Sequence, residues 1–171
     1  EDGSHCQRGT IGEICIKASS PEEHPCGVVA SYNFSEEDTA EAYRNGFFHT
    51  GDLAYRDEQG RFVYFGRNDD VIKSSGYRIG PFEIESVMLE HPSVLEVAVT
   101  GVPDPVRGFV VKATVVLREG FEGSDALVKE LQTYVKVNTA PYKYPRIIEF
   151  VDALPKTFSG KVRRVAIRQA D

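Results

Sequence analysis

NDDVIKSSGYRIGPFEIESVMLEHPSV, residues 68–94, changes character at its middle. The first part is polar and contains glycine, as loops do. From Pro81 onward apolar residues recur at helical spacing, with Ile84, Val87 and Met88 on one face. Proline is favoured in the first turn of a helix because its missing N–H would have no intrahelical partner there. His91-Pro92 ends the pattern, since the residue before a proline is driven out of the α region. The spacing predicts a helix from about Pro81, preceded by a loop, with Asn68-Asp69-Asp70 as a boundary in the chain.

Toward the C-terminus, LEVAVTGV (95–102) and GFVVKATVVL (108–117) alternate as two strands around the irregular segment PDPVR. Ser124 is placed to cap a second helix through about Asn138, with Leu127, Leu131, Tyr134 and Val135 as its buried stripe. RIIEFV (146–151) reads as a third strand and VRRVAIRQ (162–169) as a short terminal helix. Helix, strand, strand, helix, strand describes an α+β layer, and roughly one hundred residues can build an independent core.

Toward the N-terminus, GTIGEICIKA (9–18) alternates as a half-buried strand and SSPEEHPCG (19–27) reads as an exposed loop. SEEDTAEAYRNG (35–46) predicts a short helix capped by Ser35 and stopped by Asn45-Gly46. LAYRD and RFVYFG then read as strands joined by the turn DEQG, with Asp52 just before one strand and Arg67 just after the other. Residues 1–67 are too few to be stable alone and read as the trailing edge of something larger.

At 41% apolar and 27% charged residues the composition is that of a globular protein, with no apolar run long enough for a membrane helix. The start, EDGSHCQRG, lacks a signal-peptide pattern, so a cytoplasmic protein is expected. Cys6, Cys15 and Cys26 are odd in number and unevenly spaced, which argues for free thiols. With His5 and His24 they form no CxxC or HxxxH pair, and no metal site is expected. The net charge is −6, yet residues 142–171 carry seven cations against three anions, +4, which leaves −10 on residues 1–141. A cationic stretch on an acidic body points to a local anionic ligand rather than to a general affinity for polyanions.

Three loops carry chemistry. In HTGD, the Asp52 carboxylate can accept the vicinal hydroxyls of a ribose, or it can satisfy backbone amides as turn aspartates do. In GRNDDVIKSSGYRIG, Arg67 and Arg78 flank a bend at Gly76, an arrangement suited to phosphates and equally to a solvated hairpin. In PKTFSGKVRR, a Ser-Gly turn precedes Lys161, whose flexible point charge can either meet developing negative charge or belong to a solvated cationic face. Neither GxGxxG nor GxxxxGK[ST] occurs.

Taken together and in this order, these segments resemble the adenylate-forming superfamily of acyl-CoA synthetases, peptide adenylation domains and firefly luciferase. YNFSEEDTAEAYRNGFFHTGDLAYRDEQGRFVYFGRNDDVIKSSGYRIGPFEIES is similar to the family's late N-terminal-domain motif running into its hinge motif, and LPKTFSGKVRR to its final lysine motif. SSGYRIGPFEIE with KTFSGKVRR looks more like acyl-CoA synthetases of the acetate to medium-chain type. The resemblance implies a small C-terminal lid domain over residues 68–171, a short antiparallel sheet packed with helices. A β-rich tail of the large N-terminal domain would precede it over residues 1–67.

By the same resemblance, Asp52 binds the adenylate ribose with help from Arg67, Asp69 is the hinge, and Arg78 lies near phosphates. Ser75, Gly76 and Tyr77 border the CoA passage, and Lys161 is the catalytic lysine of adenylation. The implied reaction takes a carboxylic (fatty) acid, ATP with Mg2+, and CoA to acyl-CoA, AMP and pyrophosphate, with no nucleic-acid or membrane partner. The family's ATP phosphate loop, adenine segment and acyl pocket have no counterpart here, which implies a C-terminal fragment, inactive alone, of a ligase whose upstream N-terminal domain is missing. The alternative is a non-catalytic module that binds phosphate or nucleic acid through the cationic stretch. The acidic body and the absence of an RNA-stacking motif stand against it.

Overall fold

A computed structural model describes residues 4–18, 20–23, 25–33 and 35–170. The chain divides into two compact units, residues 1–69 and 70–171, each with its own sheet. The architecture is the expected α+β class.

The first unit contains β1 (Gly12–Lys17), α1 (Glu36–Ala42), β2 (Tyr43–Arg44), β3 (Phe47–Arg56) and β4 (Phe62–Arg67). β3 is the hub, pairing antiparallel with β1, β2 and β4. Ser35 caps α1, its Oγ accepting the Asp38 N–H at 3.1 Å, and three acids in the first turn complement the positive helix end. The helix stops at Ala42, earlier than Asn45-Gly46. Those two residues (φ 54 and 78) instead form the two-residue turn from β2 to β3. Left-handed conformation at both positions is what a type I′ hairpin turn needs, and Asn-Gly supplies it at least cost. A small core of Ala18, Ala42 and Phe48 sits beneath, with Ile16 and Tyr43 packed on it.

The second unit runs β5 (Ile72–Ser74), β6 (Tyr77–Ile79), α2 (Pro81–Leu89), β7 (Val94–Asp104), β8 (Gly108–Leu117), α3 (Asp125–Asn138), β9 (Ile147–Phe150) and α4 (Arg164–Ala170). β7 and β8 pair from Val94↔Leu117 to Asp104↔Gly108, so PDPVR lies mostly inside a long hairpin. Its tip is closed by Asp104 Oδ1, which accepts the N–H groups of Val106 (3.0 Å) and Arg107 (2.8 Å). β9 joins β8 in parallel and β5 meets it at Ser74↔Gly108.

β8 is buried without a break from Val110 to Val116 because helices cover both of its faces. On one face Val111, Ala113 and Val115 pack with Ile84, Met88, Leu131 and Val135 of α2 and α3. On the other, Val116 joins Ala98, Leu154 and Ile167 of α4. Ser124 caps α3 by accepting the Leu127 N–H at 3.2 Å. Tyr134 stays on the flank, its ring edge-on to His91 at 5.0 Å. Among the described residues no helix is long and apolar enough to cross a membrane.

Candidate functional site

In the first unit, Asp52 and Arg67 are Cα partners across β3 and β4. Asp52 lies inside β3 rather than before it, because pairing of residues 47–49 with β1 extends the strand upstream of LAYRD. Arg67 Nη1 stands 3.6 Å from Asp52 Oδ1 and donates to the Thr50 carbonyl at 2.8 Å, while Nε donates to Asp69 Oδ1 at 3.3 Å. The structure therefore brings Asp52, Arg67 and Asp69 together. Burial opposes the charge on Arg67, but Asp69 and Asp52 outweigh it and hold the guanidinium more firmly protonated than usual. The Asp52 side chain remains 39% exposed, so its carboxylate keeps acceptor capacity toward solvent.

The HTGD backbone is fixed from beneath. Thr50 Oγ1 donates to the Ile14 carbonyl at 2.8 Å and accepts the Asp52 N–H at 3.1 Å. Glu13 on β1 accepts the Gly51 N–H through Oε1 at 2.8 Å and the His49 Nδ1–H through Oε2 at 2.7 Å. Gly51 has φ +74, and a Cβ there would lie 2.7 Å from Arg67 Nη2. The left-handed backbone favours glycine here, and any side chain would displace the Arg67 tip. Sequence reasoning missed Glu13. Its one visible signal is an acid in a half-buried strand, which has to find partners.

Glu13, Cys15 and His49 also bring three donor atoms within 4.8 Å of one another. Burial pushes the Glu13 carboxyl up, but its bonds to His49 and Gly51 and the nearby Arg44 outweigh this and hold it below the usual range. Partial burial, and then Glu13, push the Cys15 thiol up. The cluster is a hydrogen-bonded strut under HTGD. Cys6 and Cys26 are free and exposed, and His24 lies outside the described residues.

In the second unit, Ser75 (φ 49) and Gly76 (φ 83) make a type I′ turn between β5 and β6. The Ser75 N–H donates to the Arg107 carbonyl at 2.9 Å, which pins the turn to the β7–β8 hairpin. A Cβ on Gly76 would meet nothing within 4 Å, so this side of the turn is open. Tyr77 is half exposed and stacks on Tyr142 with ring centroids 4.1 Å apart. Arg78, opposite Lys73, is exposed.

Lys161 belongs to a different loop. The Thr157 N–H donates to the Lys161 carbonyl (2.8 Å), the Gly160 N–H to Thr157 (2.9 Å), and the Lys161 N–H to Thr157 Oγ1 (3.1 Å). Lys156 and Val162 bridge the base of this miniature hairpin. The backbone is locked and the Lys161 side chain is exposed. Four of the seven cations in residues 142–171 are paired: Lys143 with Glu83, Lys156 with Glu96, Arg164 with Glu85 and Asp70, and Arg168 with Asp70. The cationic stretch is thus mostly internal wiring, and among the described residues no ion pair holds Lys161 or Arg163.

Residues 83–161, from α2 to the lysine, match the C-terminal domain of AMP-binding enzymes. Residues 83–161 are thus a domain of the AMP-binding C-terminal family. The chain is 50% identical over 161 residues to 4-hydroxybutyrate–CoA ligase 1 of Metallosphaera sedula, covering 94% of this chain and 28% of that protein. It is 47% identical over 173 residues to the mitochondrial acyl-coenzyme A synthetase ACSM3 of Mus musculus, covering 100% of this chain and 30% of that one. The crystal structure of the anthranilate CoA ligase AuaEII with anthranoyl-AMP superposes with a TM-score of 0.85 at 34% identity, over 99% of this chain and 32% of that one. The chain spans under a third of the length of these relatives and corresponds to a C-terminal portion of adenylate-forming acyl-CoA synthetases.

Proposed function

We propose that this chain supplies the ribose-holding edge, the hinge and the mobile lid of an AMP-forming acyl-CoA ligase. That enzyme converts a carboxylate and ATP to acyl-adenylate and pyrophosphate, then acyl-adenylate and CoA to acyl-CoA and AMP. The reading rests above all on the Asp52–Arg67 pair, a solvent-accessible carboxylate held in register with a firmly charged guanidinium on a braced backbone. Such a carboxylate accepts both hydroxyls of a ribose, and the arginine beside it adds a donor for the same nucleotide.

The remaining roles are those the family resemblance implies. Residues 1–69 belong to the larger domain and residues 70–171 to the lid, two residues later than the sequence boundary at 67/68, and the lid turns about Asp69. Lys161 meets the carboxylate and the α-phosphate and stabilises the negative charge that develops during adenylation. The Ser75-Gly76-Tyr77 turn, open on its glycine side, borders the CoA pantetheine, with Arg78 toward phosphates. One approach cannot hold both a lysine at the phosphate and an incoming thiol, and a lid that presents two surfaces in succession removes the conflict. Magnesium enters with ATP, and no residue of this chain is assigned to it. Substrates are carboxylic acids, fatty acids among them. The free cysteines fit a reducing compartment, which we take to be the cytoplasm.

The test joins residues 1–171 to the upstream region of the Metallosphaera ligase. Lys161→Ala should lower adenylation, read as ATP–pyrophosphate exchange, by about 10²- to 10³-fold. Thioester formation from supplied acyl-adenylate should persist. Equal loss in both steps overturns the assignment, as does measurable acyl- and CoA-dependent AMP release from the 171-residue chain alone. Pairing of four of the seven cations of residues 142–171 within the fold counts against the polyanion-binding alternative.

A further inference from the structure

Three residues beyond Lys161, α4 begins with Arg164, and Arg168 follows one turn later on the same face. A seven-residue helix is marginal by itself, and α4 buries only Ile167. Its position is set by charge. Arg164 Nη2 donates to both carboxylate oxygens of Glu85 at 2.8 and 2.7 Å, and Nη1 reaches Asp70 Oδ2 at 3.4 Å. Arg168 Nη1 donates to Asp70 Oδ1 at 2.7 Å. Glu85 is 7% exposed and also accepts the Val99 N–H at 2.8 Å, so it is a fixed point of the α2–β7 core.

Asp70 is the residue that follows Asp69 in the chain. Its carboxylate is gripped from both sides by the helix that carries the lysine hairpin, and the Arg163 N–H donates to the Pro155 carbonyl at 2.8 Å, which closes that hairpin onto the helix start. Lys161, α4, Glu85 and the first residue of the second unit are therefore one stiff body. The Ser75-Gly76 turn is anchored independently, through Ser74↔Gly108 and the Arg107 carbonyl.

We propose that Arg164 is a positioning residue for Lys161. By bridging Glu85 and Asp70 it fixes the aim of the lysine hairpin to the segment just past Asp69, so that turning the lid about Asp69 swings the lysine without lag. This deepens the ligase reading and rests on it for the role of Lys161. The clamp itself is measurable without activity. Lysine at position 164 keeps the charge but cannot fork across Glu85 and also hold Asp70.

In the 171-residue chain, Arg164→Lys and Asp70→Asn should each speed amide hydrogen exchange at Gly160 and Lys161 and leave the Ser75 amide unchanged. In the joined ligase, both should lower adenylation by about 10²-fold, the loss expected for a small misplacement of a reacting group. Thioester formation from supplied acyl-adenylate should hold. If Arg164→Lys does not fold, the Asp70→Asn result decides. Unchanged exchange at Gly160 and Lys161, or equal loss in both half-reactions, overturns the proposal. Lys161→Ala in the same ligase separates the two failures: if it cripples adenylation while the clamp variants do not, the clamp role falls and the ligase reading stands.

Discussion

Glu13 on β1 holds the amide of Gly51 on β3 at 2.8 Å, and its other oxygen holds His49 at 2.7 Å. One side chain thus holds the backbone on one side of Thr50 and the histidine ring on the other. Removing it leaves the Gly51 N–H without its acceptor and leaves His49, whose Nε2 is already buried with no partner among the described residues, only a 3.5 Å contact with Cys15 Sγ. Leaving such groups unsatisfied costs about 1–3 kcal/mol each. Glu13→Ala should therefore destabilise the first unit by roughly that amount, read by chemical denaturation, and should weaken nucleotide binding in the joined ligase. Unaltered stability would mean that Thr50 alone holds the segment.

The Glu13 and Asp57 carboxyls both titrate below their ordinary range, Glu13 through His49 and Gly51 against opposing burial, and Asp57 through Arg61 and its turn amides, likewise against desolvation. A carboxyl whose pKa is depressed on folding adds stability above its unfolded value, and that stability is lost as pH falls through the folded value. The first unit should accordingly weaken on acidification from about pH 4.3, the ordinary glutamate value, downward. Glu13→Gln should flatten that slope. The measurement is the thermal midpoint against pH for both proteins, and parallel curves would refute the assignment.

Gly51→Ala combines a left-handed backbone position with a Cβ 2.7 Å from Arg67 Nη2. The backbone term costs about 1–2 kcal/mol. Arg67 must also swing away from Thr50 and Asp52, because its tip is the part free to move. The expected result in the joined ligase is a raised KM for ATP together with loss of stability. A stability loss with an unchanged KM would remove Arg67 from the nucleotide site.

At Gly76 the backbone is left-handed but the side-chain direction is open, as at Gly120 in the turn after β8. Gly76→Leu and Gly120→Leu thus carry similar backbone strain, about 1–2 kcal/mol. Only the first should block the thioester half-reaction, with adenylation retained. Similar effects from both would reduce Gly76 to a turn residue.

Elements with strong local signals were legible in the sequence. Ser35 and Ser124 cap the helices they were expected to cap, Pro81 opens α2, and Leu131 and Val135 lie fully buried on the face that periodicity marked. Asn45-Gly46 went to a hairpin because a stop signal and a type I′ turn use the same two residues, and only pairing with β3 separates the two uses. Asp52 entered a strand for the same reason, through long-range pairing with β1 and β4. The cationic stretch was legible as charge but not as wiring. Glu83, Glu85, Glu96 and Asp70, its partners, lie 60 to 98 residues away, beyond the reach of any local pattern.

That separation sets an order of events. The β7–β8 hairpin and the Ser75-Gly76 turn close over short stretches of chain, whereas Asp70 and Arg168 must find each other across 98 residues. Contacts of long sequence separation form late in folding, after local ones have reduced the loop to be closed. Short terminal helices are also the first to fray on warming. On the roles proposed above, the Ser75-Gly76 turn should then be in place before Lys161 is aimed and should outlast it on heating. A gently heated enzyme would lose the ability to make adenylate while still able to discharge adenylate already made.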